Sequence, residues 1–140
     1  MGRIFHGKDP NTKVGACIVN QNKRIVGIGY NGLPIGCNDD EYPWEREGEL
    51  LNTKYPYVVH AEPNAILNST SSLVNATLYV TLYPCNECMK LIIQSGIKEI
   101  VYLSDKYNGT PTDIASKKMA ASANIKTRQL KDYKLTVTHQ

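Results

Sequence analysis

Pro84-Cys85-Asn86-Glu87-Cys88, preceded by His60-Ala61-Glu62, limits this chain more than any other stretch. Two cysteines with two residues between them project from one side of a helical turn. Pro84 suits a helix start, because a first-turn residue needs no N–H. Both sulfurs then lie at the positive end of that helix, which favours thiolates. An imidazole and two thiolates are ligands that zinc takes in a tetrahedral shell, and a set of three leaves one position for water. Glu62 stands too near the histidine, and is aimed too differently, to count as a fourth ligand. It suits proton transfer, since zinc lowers the pKa of bound water to about 7 and a nearby carboxylate can move the proton. The fold must therefore bring His60 beside a distant helix start. A closed structural zinc site would need a further ligand from His6, His139, Cys17 or Cys37, and a CxxC redox pair has no use for His-x-Glu.

The rest of the chain narrows the setting. Its 140 residues suit one domain with a single core, and 41% hydrophobic and 21% charged residues are ordinary for a globular protein. A formal net charge of +3, with lysines and arginines scattered, fits a small anionic substrate and does not call for nucleic acid. No stretch is apolar enough to span a membrane, and no signal peptide is visible. Two of the four cysteines are claimed by the metal, so a disulfide framework is not expected and a cytoplasmic location is.

Along the chain, residues 1–13 read as an irregular polar entry. Residues 14–20 and 24–30 read as strands of an antiparallel hairpin turning at Gln21-Asn22-Lys23. From 31 to 59 no periodicity emerges, apart from a short helix over 45–51; an irregular segment of this length is usually functional or disordered. Trp44 is read as its packing anchor, and Asp39-Asp40-Glu41 as an acidic turn. A helix starts near His60, with Pro63 in its first turn and Glu62 pushed away from helical geometry by that proline. Residues 77–82 read as a strand. The next helix opens with Cys85 and keeps Cys88, Met89 and Ile92 on one stripe, with Gly96 as its C-cap. A strand over 99–104 leads into Asp105-Lys106-Tyr107-Asn108-Gly109, at the strand end where open α/β sheets place ligand contacts. Lys106 or Tyr107 is expected to meet a phosphate there. A helix over 112–124, a strand over 125–130 and a tail complete the chain.

The spaced His-x-Glu and Pro-Cys-x-x-Cys elements are the established signature of zinc-dependent nucleobase deaminases. Together with Val14-Gly-Ala-Cys-Ile-Val-Asn20, Gly27-Ile-Gly-Tyr-Asn-Gly32, Cys37-Asn-Asp-Asp40, Lys54-Tyr-Pro-Tyr57, Leu91-Ile-Ile-Gln-Ser-Gly96 and Asp105-Lys-Tyr107, they closely resemble the deoxycytidylate (dCMP) deaminases. The similarity runs from Lys8 to about Asn124. It implies a three-layer cytidine-deaminase-like α/β fold, a mixed five-stranded sheet with helices on both faces. It implies zinc on His60, Cys85 and Cys88 and a proton shuttle at Glu62. Asn31 would contact the sugar, Ala61 the substrate, and Tyr107 with Lys106 the phosphate. The implied reaction is hydrolysis of dCMP, with dCTP a further candidate, to the deoxyuridine nucleotide and ammonia. The resemblance also implies dCTP and dTTP effectors, bound with Mg2+ around Gly29, Tyr30, Gly32 and Trp44, and a homohexamer or other homo-oligomer. The helix that such proteins carry before the first strand is expected to be shortened or absent, with residues 1–140 forming one deaminase domain. Two rival readings are a polynucleotide cytidine or adenosine deaminase, which would want a basic groove with stacking aromatics, and a non-catalytic nucleotide-sensing zinc module, which would not require Glu62.

Overall fold

The computed structural model describes residues 14–131. Strand β1, Gly15–Val19, turns and returns as β2, Ile25–Tyr30. Lys23 takes a φ of 65°, and the Asn20 side-chain oxygen accepts from the amides of Asn22 and Arg24, so a polar turn closes the antiparallel pair. Two 3-10 turns, Asp39–Glu41 and Leu50–Asn52, precede helix α1, Ala61–Leu67. Then come β3 (Thr77–Leu82), α2 (Asn86–Ser95), β4 (Glu99–Ser104), α3 (Pro111–Ser122) and β5 (Lys126–Gln129). The strands form one sheet in the order β2-β1-β3-β4-β5, antiparallel from β2 to β3 and parallel from β3 to β5. This is the expected mixed five-stranded sheet. The readings over 1–13 and 132–140, including the shortened first helix, fall outside the described residues.

The core lies on one face of the sheet, where alternate strand residues Ala16, Ile18, Leu78, Val80 and Ile100 meet Ala61 and Ala65 of α1, Met89 and Ile92 of α2, and Ala120 of α3. The crossovers through α2 and α3 run the same way along the sheet, and right-handed connections set both helices on the same face. Helix α1 joins them, packed on β1 and β2. The opposite face carries Cys17, Tyr79 and Val101 in one row. No helix among the described residues is long and apolar enough to cross a membrane.

Contact between α1 and β2 is backbone against backbone. A Cβ added at Gly27 would stand 2.5 Å from the Ala65 carbonyl oxygen, and one at Gly29 would collide with the Ala65 amide and the Ala61 carbonyl. Glycine in β2 is what lets the helix come this close. Asn64 Nδ2 donates to the Tyr30 carbonyl at 2.7 Å and Asn68 Nδ2 to the Ile28 carbonyl at 3.1 Å, fastening the helix along the strand.

Three local expectations need correction. No helix forms over 45–51: Gly48 sits at φ 124°, outside helical geometry, and only the turn at Leu50–Asn52 follows. Cys85 is the N-cap of α2 and not its first helical residue; its backbone is extended while its carbonyl accepts from Met89 N at 2.9 Å. Pro84 therefore precedes the cap. Glu62, finally, is helical despite Pro63. That proline falls in the first turn, where its missing N–H breaks no intrahelical bond, and the close seat of α1 on β2 outweighs the pre-proline bias. Gly96 does cap α2 in the left-handed region, at φ 94°.

Candidate active site and metal centre

Two helix starts meet to make the site. His60 is the N-cap of α1 and Cys85 that of α2, both with extended backbones, and neither side chain caps its own helix. Cys88, one turn into α2, is 2% exposed. His60 Nδ1 lies 3.1 Å from Cys88 Sγ and 3.6 Å from Cys85 Sγ, and the ligand atoms of all three residues fall within 4.8 Å of one another. Bonds of about 2.3 Å to sulfur and about 2.0 Å to nitrogen, set tetrahedrally, separate an N and an S ligand by roughly 3.5 Å. The donor set and spacing thus fit zinc, with His60 presenting Nδ1. Among the described residues this is the one such cluster of three or more ligand side chains.

The electrostatics agree with that use. The hydrogen bond between the two thiols holds Cys85 down to about 4 and, together with burial, pushes Cys88 up. His60 is raised, chiefly by its hydrogen bond to Cys85, with burial working against its charge. A divalent cation takes both sulfurs as thiolates. Glu62, in the first turn of α1, is 4% exposed, and burial pushes its carboxyl above the usual carboxylate range while His60 pulls the other way. A carboxyl so placed is poised to hold and release a proton.

All of this opens on a cavity of about 450 Å³. His60, Glu62 and Cys85 line it, as do the predicted substrate residues Asn31, Ala61 and Tyr107. Asn31 is held at the end of β2 by Val14, whose amide donates to its Oδ1 at 3.0 Å and whose carbonyl accepts its N–H at 3.3 Å. Tyr107 is 43% exposed at the rim. Lys106 is not among the lining residues; its ammonium lies 5.1 Å from the centre of the Tyr107 ring. Cations that do line the cavity are Arg46 and Lys54, the latter 5% exposed. Lys54 belongs to the Lys54-Tyr-Pro-Tyr57 stretch, which hinted at importance without a role, whereas nothing marked Arg46. Asp113 and Thr110 line the far wall and were also missed, although Asp113 and Lys117 have the spacing of a helical ion pair.

The residues expected around an effector are spread out. Gly29 lies buried beneath α1, and Tyr30 offers its carbonyl to Asn64. Trp44 is half-buried, its Nε1 donating to the Asp39 carbonyl at 3.1 Å. Gly32 pairs with Val59 through bonds of 3.0 and 2.7 Å, next to His60.

Comparison with known proteins places this geometry. Residues 3–104 match the model of the cytidine and deoxycytidylate deaminase zinc-binding region. The chain is 55% identical to a human deoxycytidylate deaminase over 124 residues, 87% of this chain and 70% of the human protein. It is 52% identical over 138 residues to a probable deoxycytidylate deaminase of Drosophila melanogaster, covering 94% of this chain and 68% of the fly protein. A crystal structure of dCMP deaminase from the cyanophage S-TIM5, in complex with dCMP and dUMP, superposes with a TM-score of 0.67 at 30% identity, covering 86% of this chain and 82% of the other. With the imidazole, the thiol pair and the buried carboxyl all inside the matched region, the chain belongs to the cytidine and deoxycytidylate deaminase family.

Proposed function

We propose that this chain hydrolyses dCMP to dUMP and ammonia, with zinc held by His60, Cys85 and Cys88. The observation that carries this is the buried Glu62 carboxyl on the cavity that His60 and Cys85 also line, with Cys88 buried just behind them, in a chain 55% identical to a human deoxycytidylate deaminase. Zinc bound there supplies a Lewis acid that brings the pKa of a bound water to about 7. Glu62 takes a proton from the attacking water and delivers it to N3 of cytosine as the C4–O bond forms. It then carries the second water proton to the amino group. The C4–N bond breaks, ammonia leaves and C4 keeps the oxygen as a carbonyl. Ala61, wholly buried at the start of α1, gives the base a backbone edge, and Asn31 stands ready for the sugar. Arg46 and Lys54 give the phosphate a positive wall, with Tyr107 at the rim; Lys106 acts only through that ring.

A second tier concerns regulation and setting. Control by dCTP and dTTP, with Mg2+, and assembly as a homohexamer or other homo-oligomer follow from the family resemblance. Within this chain, the Gly32–Val59 bridge, which ties the loop after β2 to the residue before His60, would be the route from an effector at that loop to the metal site. Gly29 serves packing in this reading and leaves effector contact to Tyr30, Gly32 and Trp44. The four free thiols, two of them at the candidate metal site, suit a reducing cytosol; the single deaminase domain over 1–140 rests on chain length and the family resemblance.

The test is a product assay on zinc-loaded protein with dCMP, dCTP, CMP, deoxycytidine and single-stranded polynucleotide, each with and without dTTP. Fastest ammonia release from dCMP is the expected result. Release from polynucleotide alone, or from none, overturns the proposal.

A further inference from the structure

The loop joining β4 to α3 carries Tyr107 to the cavity rim, and one side chain from a neighbouring helix turn gathers it. Lys117 Nζ lies 2.9 Å from Asp105 Oδ2, 2.8 Å from Asn108 Oδ1 and 3.0 Å from Asp113 Oδ2. An ammonium has three N–H donors, and these three acceptors use them all. Two acceptors belong to the loop itself, one on either side of Tyr107. The third, Asp113, also accepts from Gly109 N at 3.0 Å, so the same carboxylate holds the loop by its backbone. Asp105 Oδ1 is buried with no hydrogen-bond partner, which leaves the Lys117 ammonium as the charge that makes this carboxylate tolerable beneath the loop. The same ammonium lies 4.9 Å from the centre of the Tyr83 ring. Tyr83 leads directly into Pro84-Cys85, and its amide donates to the Ser104 carbonyl at the end of β4.

From this we infer that Lys117 is a positioning residue: it fixes the Asp105–Thr110 loop, and Tyr107 with it, against the segment that delivers Cys85. It touches neither the metal ligands nor the cavity. It acts on the substrate through Tyr107, so the inference rests on the reading of this cavity as a dCMP site. A loop that is correctly placed only part of the time weakens apparent binding by the fraction of time it is placed, and leaves the bound complex as reactive as before. Loss of Lys117 therefore falls on KM and spares kcat.

The experiment compares the zinc-loaded wild type with Lys117→Met, Tyr107→Ala and the double variant, on dCMP. Lys117→Met raises KM about tenfold, keeps kcat within about twofold and keeps full zinc loading, if the loop is placed roughly a tenth of the time. In the Tyr107→Ala background the same change adds little, because the side chain it positioned is gone. Hydrogen exchange gives a readout independent of turnover: amides of Asn108, Gly109 and Thr110 exchange faster in Lys117→Met while those of α1 do not. An unchanged KM, effects that multiply in the double variant, or a fall in kcat together with zinc loss overturns the inference. If Lys117→Met does not fold, Asn108→Ala removes one loop acceptor without touching α3 and must raise KM in the same sense; an unchanged KM there overturns it equally. A wild type inert on dCMP refutes the substrate reading instead, and the exchange comparison still decides whether Lys117 braces the loop.

Discussion

Replacing Gly29 with alanine tests how the Glu62 carboxyl is placed. A Cβ there would stand 2.8 Å from the Asn64 carbonyl carbon and closer still to the Ala65 amide and the Ala61 carbonyl. All three are backbone atoms of α1, so no side chain can swing aside. Carbon–carbon contacts settle at about 3.5–4.0 Å, so α1 must retreat from β2 by roughly 1 Å. Overpacking a well-filled core costs about 1–3 kcal/mol, and a backbone clash belongs at the upper end of that range. The retreat also strains the bonds from Asn64 to Tyr30 and from Asn68 to Ile28. Glu62 and His60 ride on this helix, and a displacement of about 1 Å at a reacting group lowers turnover by about 10²-fold. Urea melts should show Gly29→Ala about 3 kcal/mol less stable, and steady-state assays on dCMP should show kcat/KM down by about two orders of magnitude. Gly32→Ala is the matched control: a Cβ there meets nothing within 4 Å, and its stability should stay within about 0.5 kcal/mol of wild type. A Gly29→Ala protein with wild-type stability and turnover refutes the packing argument. If such a protein lost only its response to dTTP, the effector role first expected of Gly29 would be restored.

Further predictions concern neighbouring groups. Glu62→Gln should keep zinc, by elemental analysis, while ammonia release falls by about 10²–10⁴-fold; a near-normal rate would remove Glu62 from proton transfer. Ser116→Ala deletes the hydroxyl that donates to the Pro84 carbonyl at 2.8 Å and strands a buried acceptor, so denaturation should read a loss of about 1–3 kcal/mol. Tyr83, 7% exposed, has its phenol pushed up to about 12, chiefly by burial and against the pull of Lys117. The folded state thus keeps a proton that the unfolded chain gives up near pH 10, and stability must fall as pH rises from about 10 to about 12. At about 1.4 kcal/mol per unit the loss approaches about 3 kcal/mol, and Tyr83→Phe should flatten that alkaline limb in urea melts.

His60 was legible through the His-x-Glu pattern, and it is the fold that brings its ring to the two sulfurs. The cysteine pair was legible because its message is short-range, a helical turn fixing Cys85 relative to Cys88. Strands with clear ends, such as Thr77–Leu82 and Glu99–Ser104, were legible for the same reason. What escaped depends on which segments the crossovers bring together. Lys117 reads as one more surface lysine until β4 and α3 fold its three acceptors around it. Lys54 and Arg46 sit in a segment without periodicity, so nothing local said they face the cavity. The packing role of Gly29 was not legible: a glycine in a strand marks a close approach, but only the fold says that α1 is what approaches. The short helix expected over 45–51 failed on Gly48, whose backbone the tertiary path turns to positive φ.

His60 and Cys85 stand where most helices station a serine, threonine, aspartate or asparagine to satisfy the first free amides, a service worth about 1 kcal/mol at each start. Both side chains turn toward the ligand cluster instead, so an ion held there would tie two adjoining helix starts to one another. Cofactor supply then bears on how long a chain lasts as well as on how fast it works. Removing the ion with a chelator should therefore speed amide exchange at both helix starts together, and an unchanged exchange pattern would refute this coupling.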